Sequence, residues 1–257
     1  MIRFASLGSG SKGNCLVVEV GRTRVLLDCG FSLRETGRRL ARLGLESSAI
    51  SAIVVTHEHD DHVGHAYTVS AQLGIPVWLT RGTARAAEES ARAVEGAQVR
   101  YIEDRSPFAI GEVQVQPFTV PHDAREPVQF VFGDGASRLG VLTDIGAPTP
   151  HVEETLDGCD ALVLECNHDL DLLWAGAYPR WLKERVSGAW GHLDNGQAGR
   201  LLAALDRAKL KHVVAAHLSQ QNNRPELARR ALAEAMGCTE DWIGVATQDE
   251  GFGWREA

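Results

Sequence analysis

The sequence predicts an α/β protein built as an αββα four-layer sandwich, two sheets face to face with helices outside. Two observations carry this. In each half of the chain short strands come first and β/α alternation follows, as two related halves would require. Ile53, Val54 and Val55 read as a strand buried on both faces, and that strand runs directly into Thr56-His57-Glu58-His59-Asp60-Asp61-His62. The carboxyl end of such a strand is where an open sheet places its active site.

The elements follow in order. Ile2 to Leu7 opens a β-meander, with a glycine-rich turn from Gly8 to Gly13, then Cys15 to Val20, and Val25 to Asp28 after Gly21. Helical periodicity covers Leu33 to Leu43 and stops at Gly44. A strand from Ile50 to Val55 precedes a helix from Ala66 to Leu73, which Gly74 and Pro76 end, and a third helix is expected over Thr83 to Val94. Short strands return between Val99 and Thr143 as a second sheet. Alternation then resumes: strand Ala161 to Leu164, helices Pro179 to Val186 and Asn195 to Ala208, strand His212 to Ala216, and helix Pro225 to Ala235. No linker, repeat or low-complexity tract divides the chain, so a single domain over 1–257 is expected.

Composition bounds the function. With 257 residues and 44% hydrophobic content the chain can bury a sizeable core. Its net charge of -8 gives no global field to draw in nucleic acid, so a polyanion would have to be bound locally, where bound cations would help. Five scattered cysteines without a C-x-x-C pair read as reduced thiols of a cytoplasmic protein. Neither a signal segment nor a long apolar stretch is present, so no membrane association is expected.

The histidine-rich run sets three imidazoles and Asp61 within six residues, the makings of a two-metal hydrolytic site. His57 and His59, two apart, can face one ion while Asp61 and His62 turn toward a second. Imidazole with carboxylate suits zinc, manganese or iron rather than calcium. One loop cannot close two sites. His122, Asp144 and His217 each stand after a strand-like apolar run, so all three are expected on the same sheet edge. In this reading His122 completes the first set, His217 the second, and Asp144 bridges two divalent ions.

Through His57, His59, Asp61, His62, His122, Asp144 and His217, in that order, the chain resembles the metallo-β-lactamase superfamily of hydrolases. Ser9 to Asn14, Glu165 to Asp169, Gly191-His192-Leu193 and His217 to Asn223 narrow the resemblance to the WalJ/YycJ branch, bacterial DNA exonucleases. The stretch from Asp144 to Ala161 leaves no room for a β-CASP insertion. A Gly-His pair upstream of the last metal histidine also resembles tRNase Z, which implies that His192 supports phosphate chemistry. One departure is Asp194, where the branch usually has a small hydroxyl residue; it either faces the cleft or caps the helix starting at Asn195.

The resemblance implies a 5′→3′ DNA exonuclease in which hydroxide held between two ions attacks phosphorus, oriented by Asp61 and Asp144. His192 is the expected general acid, with Glu165 raising its pKa and fixing its tautomer. Ser9, Ser11 and Asn14, in the glycine turn, are candidates for receiving a terminal phosphate, against the plainer reading of a hairpin turn. Asn167 is placed with the same pocket; His168 either joins it or is a bonded loop residue. Ser219 and Asn222 either line the cleft or cap the next helix. Arg34, Arg38 and Arg42, beside Arg39, form a stripe that either tracks a phosphate backbone or is a solvated face. An RNA nuclease, a thioester or glyoxalase-like hydrolase, and a non-catalytic metal-stabilised regulatory protein are the competing functions. Oligomeric state is left open.

Overall fold

A computed structural model of the chain describes residues 1–103 and 106–257. The first sheet contains β1 (Ile2–Gly8), β2 (Cys15–Val20), β3 (Thr23–Leu27), β4 (Ala52–Val54), β5 (Pro76–Leu79) and β6 (Gln98–Tyr101). The second contains β7 (Phe108–Ile110), β8 (Val113–Thr119), β9 (Val128–Gly133), β10 (Arg138–Leu142), β11 (Ala161–Glu165), β12 (His212–Ala216) and β13 (Gly244–Val245). The last strand, β14 (Phe252–Glu256), returns to pair with β1 at the edge of the first sheet. Each sheet begins antiparallel and ends parallel: β1-β2-β3 then β3-β4-β5-β6, and β7-β8-β9-β10 then β10-β11-β12-β13.

Alternation along the strands sorts the apolar residues into three layers. Val18, Val25, Val54, Phe130, Val141, Val163 and Val214 fill the space between the sheets. Their neighbours Val17, Leu26 and Ile53 face outward, onto α1 (Leu33–Arg42), α2 (Ala66–Leu73) and α3 (Arg81–Glu89). On the far side Leu142, Leu162, Leu164 and Val213 meet α4 (Pro150–Leu156), α7 (Asn195–Ala204) and α8 (Pro225–Met236). Between α4 and α7 lie the short helices α5 (Leu170–Ala175) and α6 (Arg180–Val186). The four-layer sandwich expected from the strand and helix order is the fold observed.

Differences lie in whole elements and at element ends: β5, β13, β14, α4 and α5 were not expected, and the strand at Val99, β6, pairs with β5 in the first sheet rather than opening the second. The third helix starts earlier and stops earlier than its periodicity suggests. Thr80 caps it by accepting from Thr83 N, and Ala91, at φ 56°, breaks it. α7 ends at Leu205, which turns extended and buries its side chain among α4 and α8 residues. All five cysteines are free thiols, and no described helix is long and apolar enough to cross a membrane.

Candidate metal centre

Six strands deliver the site at one rim. Asp28 follows β3, the Thr56–His62 loop follows β4, His122 follows β8, Asp144 follows β10, Glu165 ends β11 and His217 follows β12. Because β8, β10, β11 and β12 run the same way, their carboxyl ends coincide, the edge where an open sheet binds ligands.

Three of these residues sit in left-handed backbone: Asp28 (φ 61°), Asp144 (φ 54°) and His217 (φ 55°). Side chains cost about 1–3 kcal/mol there, so each must be held by its surroundings. Asp28 accepts from Thr56 N at 2.9 Å and Thr56 Oγ1 at 3.0 Å. Glu165 accepts from Asp144 N and Ile145 N, both at 3.1 Å. Ser9 Oγ accepts from His217 N at 2.9 Å. The sharp turns aim side chains off the strand ends into a common space. Packing fixes the loop itself, since a side chain at Gly30 would strike the Asp61 carbonyl at 2.2 Å.

The seven expected ligand residues converge. His57, His59 and His122 form one group, and Asp61, His62 and His217 a second. Asp144 joins both through His57 and His62; within each group the ligand atoms lie within 4.8 Å of one another. Four imidazoles spend Nδ1 on an outer partner: His57 on Thr56 Oγ1 (2.9 Å), His62 on Asp28 Oδ2 (2.7 Å), His122 on Gly191 O (3.0 Å) and His217 on Glu165 Oε1 (3.1 Å). Nε2 of each is thereby turned inward, the arrangement found around metal-bound histidines. His57 Nε2 and Asp144 Oδ2 are buried without a hydrogen-bond partner among the described residues, although Asp144 Oδ2 stands only 2.7 Å from His62 Nε2. An unpaired buried polar atom costs about 1–3 kcal/mol, which a cation at that point removes. Burial pushes the His57 imidazole toward its neutral, coordinating form. Burial opposes ionisation of Asp61 and Asp144, yet the imidazoles around them hold both carboxyls well below the usual range. Nitrogen and carboxylate donors without a thiolate fit divalent cations of the zinc, manganese and iron type.

A fourth grouping is different in kind. Asp144, Glu165, His192 and His217 meet through Nδ1 atoms, as a hydrogen-bonded network. Glu165, fully buried, receives Asp144 N, His192 Nδ1 (2.9 Å) and His217 Nδ1 on Oε1, and Ile145 N with Leu193 N (3.1 Å) on Oε2. Burial works against its ionisation, but the His192 charge and its hydrogen bond, with that of His217, hold Glu165 down at about 2. Burial likewise lowers His192, and the Glu165 and Asp144 carboxylates overcome it, pushing the imidazole up to about 10. Positive charge placed on Asp144 acts in the opposite sense.

A cleft of about 230 Å³ opens over the rim, lined among others by Ser11, Asp61, Asn167, His192, Ser219 and Asn222. Ser9 and Asn14 lie beneath it instead. Both are buried: Ser9 donates to Asn14 Oδ1 and Asn14 Nδ2 reaches Asp61 Oδ2 at 3.2 Å, so their polar atoms are engaged in shaping the glycine turn. His168 is fully buried, with neither ring nitrogen partnered among the described residues. Ser219 closes a turn by accepting from Asn222 N, and caps no helix, because α8 begins after Arg224. Asp194 takes the capping role, reciprocally with Gln197. Three arginines of the stripe are engaged within the fold: Arg39 is buried and donates to the Leu7 and Gln248 carbonyls, Arg38 pairs with Glu35, and Arg42 with Glu250.

Sequence reading missed Asp28, Thr56 and the Gly191 carbonyl. Asp28 carried the signal used for Asp144, an acid straight after an apolar strand. Gln129 was also missed: it pairs with both backbone groups of Thr143, just before Asp144, and nothing in the text marks it.

Residues 23–218 match the sequence profile of the Beta-lactamase superfamily domain. The chain is 31% identical to an exodeoxyribonuclease YycJ of Bacillus anthracis over 256 residues, covering 100% of this chain and 93% of that protein. It is 27% identical to an exodeoxyribonuclease WalJ of Streptococcus pneumoniae, covering 95% of this chain and 91% of that one. In fold it resembles the metallo-beta-lactamase fold protein YhfI from Bacillus subtilis, with a TM-score of 0.76 at 15% identity over 100% of both chains. By sequence, fold and the imidazole-carboxylate rim together, the chain belongs to the metallo-β-lactamase superfamily, as a metal-dependent hydrolase of the YycJ/WalJ exonuclease branch.

Proposed function

We propose that residues 1–257 act as one domain carrying a dinuclear phosphodiesterase, a DNA exonuclease that enters at 5′ ends. The observation that carries this reading is the position of Asp144, which meets His57 of one histidine group and His62 of the other, as a residue shared by two ions would. His57, His59 and His122 would hold one ion and Asp61, His62 and His217 the other. What two such ions supply is Lewis acidity toward a phosphoryl oxygen and a water whose pKa falls to about 7.

The chain's own residues do the rest. Asp61 and Asp144 orient the attacking oxygen. His192, its Nδ1 fixed by Glu165, presents Nε2 to the cleft and gives a proton to the leaving oxygen. Glu165 is a positioning residue that acts through His192, His217 and Asp144. Ser11, Asn167, Ser219 and Asn222 line the path of the substrate, while Ser9 and Asn14 hold the turn beneath it. The names of the relatives favour DNA over RNA and esters. Five free thiols fit a reducing, cytoplasmic setting.

The test is digestion of end-labelled single- and double-stranded DNA, with and without a 5′ phosphate, under manganese and zinc separately. Mononucleotides released from the 5′ end, and lost after chelation, are expected. No release with any metal would sink the nuclease reading; equal release from RNA would move it to RNA.

A further inference from the structure

The five imidazoles at the rim are not oriented alike. His57, His62, His122 and His217 each meet an outer partner through Nδ1, which leaves Nε2 for an ion. His59 is reversed. Its Nδ1 faces the first group, 3.3 Å from His122 Nε2, so Nε2 is the nitrogen left for an outer partner. An imidazole that binds an ion through Nδ1 carries its proton on Nε2, and a protein fixes such a ring by giving that N–H an acceptor.

Asp123 stands at that nitrogen. Its Oδ1 lies 3.8 Å from His59 Nε2, within about 1 Å of hydrogen-bond length. The same oxygen lies 3.5 Å from His122 Nε2. Tautomers decide between the two. His122 Nδ1 faces the Gly191 carbonyl and carries its proton there, so its Nε2 offers Oδ1 only a lone pair, whereas His59 offers an N–H. Arg185 holds the carboxylate by its other oxygen, with Nε at 2.7 Å and Nη2 at 2.6 Å from Oδ2, and Asp123 N donates to the Trp190 carbonyl at 3.0 Å. The segment from Arg185 to Gly191 is itself fixed: His192 N donates to Val186 O at 2.8 Å, and a side chain at Gly191 would strike the Arg185 carbonyl. That segment supplies the Gly191 carbonyl to His122 and, through Arg185, the anchor of Asp123, while Asp123 and Arg185 both line the cleft.

We propose that Asp123 is the positioning residue for His59, accepting from its Nε2–H and fixing the ring for the first ion, with Arg185 clamping the carboxylate from the cleft wall. This rests on the dinuclear reading and is independent of which polymer is cut. One wall segment then orients two of the three imidazoles of the first group.

The experiment titrates zinc and cobalt(II) into the full chain against a competing chelator, for the wild type, Asp123→Ala, Arg185→Ala and His57→Ala, the last to mark the first ion. Asp123→Ala is expected to bind that ion about 10- to 100-fold more weakly, the scale of a lost outer partner, with the second ion unchanged. Arg185→Ala shows a smaller loss of the same ion. In proton NMR of the cobalt-loaded protein, one paramagnetically shifted imidazole N–H resonance is lost to exchange with water in Asp123→Ala, and the others stay. Melting temperature confirms that each variant is folded. First-ion affinity within twofold of wild type, an unchanged set of N–H resonances, or loss of both ions together overturns the assignment, and Arg185→Ala at wild-type affinity overturns the clamp. A wild type that binds no ion retires the dinuclear reading and this one with it. One that binds two ions and digests no DNA loses only the nuclease reading, while the affinity comparison still decides the role of Asp123.

Discussion

The two halves of the candidate metal rim are built in opposite ways. From the first sheet, His57, His59, Asp61 and His62 arrive in one loop, closed on itself where His62 N donates to His59 O and tied to the end of β3 where Thr56 links His57 to Asp28. From the second sheet, His122, Asp144, His192 and His217 come from four separate places, two of them in left-handed backbone. A single buried side chain, Glu165, ties three of those four together. One half is thus written as a motif, and the other exists only as a folded hub.

That contrast predicts where damage is worst. Glu165→Gln puts amide hydrogens against either the histidine donors or the Ile145 and Leu193 N–H groups, leaving donors facing donors inside the core. We expect about 3–5 kcal/mol of lost stability, the cost of breaking a buried charged network, and loss of the ion next to His217. Urea midpoints and metal per chain by mass spectrometry read both. A variant with full metal content and a midpoint near wild type would mean the second half does not depend on its hub. His192→Ala separates chemistry from assembly: turnover should fall about a hundredfold, the scale of a lost general acid, with metal content unchanged. Unchanged turnover would remove the acid role.

Legibility in the sequence follows the same division. The His57–His62 loop could be read directly because its ligands are close in the text and follow a β-branched strand. His122, Asp144 and His217 could be read only as a set, through the shared rule that each follows an apolar run. Asp28 obeyed that rule and was passed over, since its role is to hold His62 by Nδ1, a contact 34 residues away. Gln129 and the Gly191 carbonyl could not have been read at all: one replaces strand pairing at Thr143, the other is a main-chain atom whose importance depends on where His122 lands. Helix ends were shifted where tertiary packing decided, as Leu205 leaves α7 to join the core.

Asp28→Asn should weaken the first half less than Glu165→Gln weakens the second, because Thr56 and the loop's own hydrogen bonds persist. A fall of about 10- to 100-fold in metal affinity is expected, the usual effect of altering an outer partner of a ligating histidine. Titration against a competing chelator measures it, and an affinity within twofold of wild type would show that Thr56 alone orients His62. Gln129→Leu acts on the backbone instead, stranding the N–H and carbonyl of Thr143. It should cost about 1–3 kcal/mol, seen as a lower urea midpoint at unchanged slope.

The smallest effect tests whether the arginine stripe of α1 touches a phosphate backbone or is a solvated face. Arg38 stands on the outer face of α1, and its guanidinium is spent on Glu35, whose carboxyl is held down at about 2 by Arg38 and then Arg39. An exposed pair of this kind contributes little, because water and salt screen it. Arg38→Ala should therefore leave both the urea midpoint and the salt dependence of DNA affinity unchanged. Arg39 is different: it is buried against Phe31 and fastens β1 to the Gln248 turn, so its removal disturbs packing whatever the protein binds. Should Arg38→Ala reduce the salt slope by about one phosphate contact, α1 does track a nucleic acid backbone.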